Sequence, residues 1–150
     1  MTSSVVDAIA GGARAESDVW ARALREAPEW EPVFSPLAPD PLALGLETVY
    51  EAYLVHYGRP RLFEAPDADE AVLLGDYLYA HGLVRIAEAG GVEAVRVLAD
   101  LISRCAALRA DGSTGDGEAW VVAARALGGA PGEDAVARAL ELHVRHTSLR

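Results

Sequence analysis

The stretch DPLALGLETVYEAYLVHYGRP, residues 40–60, decides how this chain is read. Asp40-Pro41 reads as a helix entry. Asp is a favoured cap, and Pro tolerates the first helical position because its missing N–H would have no partner there. The apolar residues that follow carry a helix through about Tyr57, and Gly58 ends it. Inside it Glu47 and Glu51 stand four apart, on one face. Two carboxylates so placed could hold a hard cation such as Mg²⁺, which takes oxygen ligands. The same spacing is common on solvated helix faces, so spacing alone does not decide between the two.

Working outward, residues 2–27 read as a first helix with Ser or Thr near its start. APEWEPVFSPLAPDP, residues 27–41, ends it, because each Pro removes a backbone donor and disfavours helix in the residue before it. Downstream, Asp67 caps a second strong helix and Glu70 sits three later, as in a capping box. Val72, Leu73, Leu74, Tyr77, Leu78, Tyr79, Leu83, Val84 and Ile86 cover nearly its whole circumference, which predicts burial on several faces. It ends at Gly90-Gly91. GVEAVRVLADLISRCAALRADG, residues 91–112, is another apolar helix, antiparallel to the last by its very short connection. GSTGDG, residues 112–117, is a flexible loop in which Ser113, Thr114 and Asp116 are simply polar. Residues 118–128 and 133–147 make two final helices. No alternating strand pattern competes. The expectation is an all-α fold of about six helices, with an N-terminal helix and Pro-rich segment over 1–45 and a helical domain over 46–150.

Composition narrows the function. The 150 residues suffice for one domain with a sizeable core. The formal net charge of −10 disfavours nucleic acid and anionic lipid, both of which call for a cationic surface. No apolar run is long enough for a transmembrane helix, and the N-terminus lacks the basic and apolar regions of a secretory signal. The single Cys105 excludes an internal disulfide framework. These absences point to a cytoplasmic protein.

Three short motifs then line up. Glu47-Thr48-Val49-Tyr50-Glu51 is followed, four residues on, by His56-Tyr57-Gly58-Arg59-Pro60, and later by Leu73-Leu74-Gly75-Asp76-Tyr77-Leu78. The order resembles the trans-isoprenyl (polyprenyl) diphosphate synthases. Their DDxxD helix precedes Arg-Arg-Gly-x-Pro, and a Leu-x-Gly-Asp-x-Leu helix follows. Gly58, Pro60, Gly75 and Asp76 match in type, and the offset of 75 − 58 = 17 residues is about that of the family. The resemblance implies a helical bundle like the N-terminal half of the isoprenoid synthase fold.

The departures fall on the chemistry. In the family the aspartates bind the Mg²⁺ that clamps an allylic diphosphate; here those positions hold Glu47, Thr48 and Glu51. Thr supplies no charge, and Glu is one methylene longer than Asp, while Mg²⁺ tolerates little deviation from octahedral geometry. The paired arginines become His56 and Tyr57, which offer no permanently charged fork. Arg59 and Arg61 lie close but out of register, so His56, Arg59 and Arg61 are the remaining candidate diphosphate contacts. No second aspartate-rich motif follows, and the chain contains no Lys. The resemblance therefore implies a small, non-catalytic subunit with no cofactor of its own. It would pair with a full-length catalytic polyprenyl diphosphate synthase that carries the Mg²⁺, and shape that partner's product cavity or stability. The implied contact helix includes Asp76 and Tyr79, and a prenyl chain could touch this subunit. Two alternatives stay open: a weak Mg²⁺-dependent prenyltransferase acting as a homodimer, and a helical adaptor unrelated to isoprenoids.

Other residues have plainer readings. His143 and His146, with Glu141, could touch a metal, but they lack a further ligand at helical spacing and also suit a helix C-terminus. His81 and Cys105 read as core. Asp76, on so apolar a helix, calls for a partner, with Arg85 or Arg104 in reach. Trp30, Phe34, Tyr50, Tyr53 and Tyr57 could line an apolar groove or simply pack.

Overall fold

The computed structural model describes residues 2–148, with side chains from residue 5 onward. The helices are α1 Thr2–Glu16, α2 Asp18–Arg22, α3 Ala43–Tyr57, α4 Ala68–Ala110, α5 Asp116–Ala126 and α6 Glu133–Thr147. Among the described residues the only β feature is one bridge, Leu24 to Phe63. The fold is all-α, as the sequence implies.

α3 is the axis of the molecule. Its ten residues Gly45–Leu54 are all buried. A helix buried all round must have packing partners on every side. α1 and the first half of α4 take one side, where Ile9, Ala13, Leu62, Phe63, Leu74 and Leu78 close a small core. The second half of α4, α5, α6 and the segment 33–37 take the other, around Phe34, Tyr50, Leu98 and Trp120. The sequence assigns this all-round burial to the helix starting at Asp67 instead. There Val72, Leu73 and Val84 are exposed, and only one stripe, including Leu74, Leu78 and Ile86, is covered.

α4 is two helices joined at a single residue. Gly75 lies against His56, Gly82 against Val49 and Gly45 against Ile86, so the first half runs antiparallel to α3. At Gly91 the backbone adopts φ 75°, ψ −169°, a region open essentially to glycine alone. Beyond it Arg109 lies over the Tyr53 and Tyr57 rings, so the second half runs back beside α3. The antiparallel pair read from Gly90-Gly91 is therefore present, with a connection of one residue.

Other helix limits differ from expectation for local reasons. The first helix is broken at Ser17, whose backbone is extended and whose hydroxyl accepts from the Val19 N–H to start α2. Asp40 caps nothing with its side chain; Asp40–Leu42 is a 3₁₀ turn and α3 begins at Ala43. α3 ends at Gly58 and Asp67 caps α4 by accepting from the Glu70 N–H at 2.9 Å, both as the sequence suggests. α5 begins two residues early, at Asp116, which lifts that residue out of the polar loop.

Candidate functional site

Glu47 and Glu51 point into the protein rather than out of it. Both are fully buried, at 1% and 0% exposure, with Arg61 between them at 1%. Arg61 donates through Nη1 to Glu47 Oε1 and through Nε to Glu51 Oε1 at 2.9 Å. Glu47 Oε2 accepts the Val33 and Ser35 N–H groups at 3.1 and 3.0 Å. Glu51 accepts the Arg61 and Leu62 N–H groups at 3.2 and 2.8 Å. Arg61 also donates to the Glu31 and Glu47 carbonyls, and its guanidinium lies 4.1 Å from the Trp30 ring centre. Burial by itself would lower the Arg61 pKa; the charges of Glu47 and Glu51 outweigh it and raise it.

This knot ties α3 to both irregular segments beside it. Residues 31–35 and 60–62 have no helix to satisfy their backbone N–H groups, and the two carboxylates do so instead. A Mg²⁺ ion does not fit here. Every carboxylate oxygen is already engaged and the positive charge is already present as Arg61. Among the described residues no three His, Cys, Asp or Glu side chains cluster as metal ligands. Thr48, the second position of the motif, donates to the Leu44 carbonyl at 2.7 Å and accepts from Arg85 at 3.0 Å.

The rest of the expected site is dispersed. Arg61 is sealed in and unavailable to a diphosphate. Arg59 is half-exposed and pairs loosely with Glu29 at 3.3 Å. His56 is held against Gly75; burial lowers its pKa, only partly opposed by Asp76 at 3.7 Å. Asp76 itself is 65% exposed and meets neither Arg85 nor Arg104, so the partner expected for it is not needed. Tyr79 is half-buried beside the His56 ring, and burial raises its hydroxyl pKa. Gly58 and Gly75 both have packing reasons to be glycine: a Cβ would strike the His146 carbonyl at one and the His56 ring at the other. The Pro60 carbonyl accepts from Arg25 Nε at 3.2 Å.

A second polar centre lies on the opposite side of α3, and the sequence does not announce it. Asp116 Oδ2 accepts from Tyr53 Oη at 2.5 Å, from His143 Nε2 at 2.9 Å and from Arg109 Nη2 at 3.0 Å. Arg109 Nε also donates to Tyr53 Oη at 2.9 Å. His143 Nδ1 lies 2.7 Å from Tyr50 Oη. His143 thus bridges Asp116 and Tyr50 through its two ring nitrogens. Four helices meet here: α3, α4, α5 and α6. Burial pushes the Asp116 carboxyl up, but the hydrogen bonds from His143 and Tyr53, with the Arg109 charge, hold it well below the usual carboxylate range. Burial raises the hydroxyl pKa of both Tyr50 and Tyr53.

The order Asp116–His143–Tyr50 is that of an acid–base relay, in which a carboxylate orients an imidazole toward a hydroxyl. Here the hydroxyl end is shut. Tyr50 has no exposed surface, and its ring is packed among Phe34, Tyr53, Trp120 and His143. No reacting group could reach it, so the chain of bonds serves as a clasp. The same packing answers the aromatic groove considered above: Phe34, Tyr50 and Tyr53 are core, and Trp30 covers Arg61. His143 is likewise a core group, not a metal ligand. His146 Nε2 lies 3.4 Å from Glu31 and is otherwise unpartnered, and its pKa is lowered by burial and by Arg61. His81 is half-buried, stacked on Tyr77. Cys105 is buried core and its thiol is pushed up to about 12 by burial.

One sequence signal does point at this centre. Val136, Ala139, Leu140 and His143 share the covered stripe of α6, so His143 falls where a polar group needs a partner. Asp116 in the first turn of α5 suits the helix dipole. Neither signal names the other residue. No helix among the described residues is long and apolar enough to cross a membrane. Comparison with protein-family models, with curated proteins and with solved structures returns no match.

Proposed function

We propose that this chain is a non-catalytic helical subunit that works by binding another protein. The observation that carries this is the closed Glu47–Arg61–Glu51 knot. The acid pair that a prenyl-transferring enzyme would use for metal is here consumed by an internal counter-charge and by backbone N–H groups. The hydroxyl end of the second polar centre, at Tyr50, is shut as well. A weak Mg²⁺-dependent enzyme acting as a homodimer finds no support at either place.

The partner in this proposal is a full-length polyprenyl diphosphate synthase carrying its own Mg²⁺. That part rests on the order of Gly58, Pro60, Gly75 and Asp76 in the sequence. Exposed Val72, Leu73 and Val84 on the helix that carries Gly75-Asp76 supply an apolar face for the contact. A second reading, a helical adaptor unrelated to isoprenoids, is favoured by one specific observation. Gly58 and Gly75 each have a steric reason to be glycine within this fold, without reference to any family.

Co-expression with a full-length synthase separates the two. Copurification at a fixed ratio, with altered product length and with loss of the complex in Leu73→Asp, supports the synthase partner. Absence of any complex moves the assignment to the adaptor. Turnover of an allylic diphosphate by this chain alone with Mg²⁺ would overturn both.

A further inference from the structure

Among the described residues three buried side-chain nitrogens have no hydrogen bond, and two of them are histidine Nε2 atoms at one corner of the molecule. His56 lies in the last turn of α3 and His146 in the last turn of α6. The chain turns between them at Gly58 and is held to both. The His146 carbonyl accepts the Arg59 N–H at 2.8 Å and leaves no space for a Cβ on Gly58. The His56 ring fills the space that a side chain at position 75 would take.

Both rings suit the neutral form. Nε2 of His56 stands 3.7 Å from Asp76, and Nε2 of His146 stands 3.4 Å from Glu31, outside hydrogen-bond geometry. Those acids are 65% and 38% exposed, so water screens much of their attraction. The other groups against His56 are the Tyr57 and Tyr79 rings. His146 faces the sealed Arg61 cation and, behind it, Glu51. Glu29, Arg59 and Arg145 line a trough of about 450 Å³ beside it. A proton added to either ring places a positive charge and a further N–H donor where no acceptor is aligned. The charged ring reaches water or its carboxylate only if the turn that carries it moves.

We propose that His56 and His146 form an acid-released latch, whose protonation frees the last turns of α3 and α6 from the corner at Gly58 while the rest of the fold stays closed. Burial lowers both ring pKa values from 6.5, and Arg61 lowers that of His146 further. The contact is therefore complete above about pH 6.5, where an opened ring is neutral too, and is lost as pH falls through the folded values. The latch does not depend on the identity of any partner.

The test is amide hydrogen exchange of the whole chain, followed by NMR at about pH 7.5 and 5.5, on either side of an ordinary histidine. Each rate is compared with that of an unstructured amide at the same pH. The Arg59 amide, bonded to the His146 carbonyl, is the reporter. Its protection should be several-fold lower at the acid pH, with about tenfold per ring as the limit set by an opened-state pKa of 6.5. It should also be tenfold or more below that of the amides from Leu98 to Cys105 at both pH values, because the corner opens without the core. His146→Gln should remove most of the response at Arg59 and His56→Gln part of it. His81→Gln should leave it unchanged, since that ring stacks on Tyr77 elsewhere. If a Gln variant fails to fold, the ring signals of the wild type decide, and both should titrate below 6.5. Arg59 protection equal at the two pH values overturns the proposal, as does a response kept in the His56→Gln/His146→Gln protein. Rings that titrate at 6.5 or above, or an Arg59 amide as protected as the core, overturn it equally.

Discussion

The two polar centres flanking α3 are built from similar parts and read very differently. Each has a carboxylate, an arginine and an aromatic ring, and each is hydrogen-bonded throughout. The first draws its charged groups from residues 47–61 and uses them mainly to satisfy the backbone of two irregular segments. The second draws its groups from residues 50–143 and joins helix to helix through side chains alone. The first balances two acids with one Arg at full burial. The second keeps Asp116 and Arg109 at the edge of solvent and buries the Tyr50 hydroxyl and the His143 ring behind them. Charge is therefore most costly to disturb at the first centre, and geometry at the second.

The largest expected effect follows from that. Arg61→Ala leaves Glu47 and Glu51 as two uncompensated buried carboxylates. Breaking a buried pair by removing one member costs roughly 3–5 kcal/mol, and here one residue serves two acids. Urea denaturation should show the variant largely unfolded at pH 7. A stable Arg61→Ala protein would mean that the two centres do not differ in this way.

Asp116→Asn should rank next. It removes the charge that accepts three hydrogen bonds, each of the kind worth about 1.5–3 kcal/mol, while Asn keeps one acceptor. A loss of about 2–4 kcal/mol is expected by the same measure. Tyr50→Phe should cost less, about 1–2 kcal/mol, by leaving His143 Nδ1 without its hydrogen-bond partner. If Tyr50→Phe cost as much as Arg61→Ala, the second centre would be the more strained of the two.

Acid distinguishes the centres without mutation. His146, beside Arg61, has a folded pKa below its unfolded value of 6.5, so its contribution is present above about pH 6.5 and lost as pH falls through the folded value. Asp116 also has a lowered folded pKa against 3.8 unfolded, so its contribution is intact above about pH 4 and is lost only at lower pH. Stability measured against pH should fall in two stages. His146→Gln should reduce the first, which His56 and His81 share because their folded pKa values are also lowered, and Asp116→Asn should remove the second.

What could be read beforehand follows the same division. Helix ends carried by short-range signals, such as Gly58, Asp67 and the Gly90-Gly91 turn, were legible because caps and breakers act within a few residues. The Glu47/Glu51 pair was visible, but its meaning was not. An i,i+4 acid pair looks the same on a solvated face, at a metal and around a buried Arg, and only the tertiary path of residues 60–62 chooses. Arg61 read as an anion contact for that reason. The second centre was invisible as a unit because Tyr50, Arg109, Asp116 and His143 meet only after α4 folds back at Gly91. Apolar content misled for α4: it has enough apolar residues to be buried all round, yet the neighbouring helices cover α3 instead.

The most direct test of the central claim, that Glu47 and Glu51 are counter-charges and not metal ligands, is a denaturation cycle run with and without millimolar Mg²⁺. It compares the wild type, Arg61→Met, Glu47→Gln/Glu51→Gln and the triple variant. The account predicts that each partial variant is severely destabilised, that the triple variant regains much of the loss because no unpaired charge remains, and that Mg²⁺ moves none of them. A well-folded Arg61→Met protein that Mg²⁺ stabilises through Glu47 and Glu51 would contradict it.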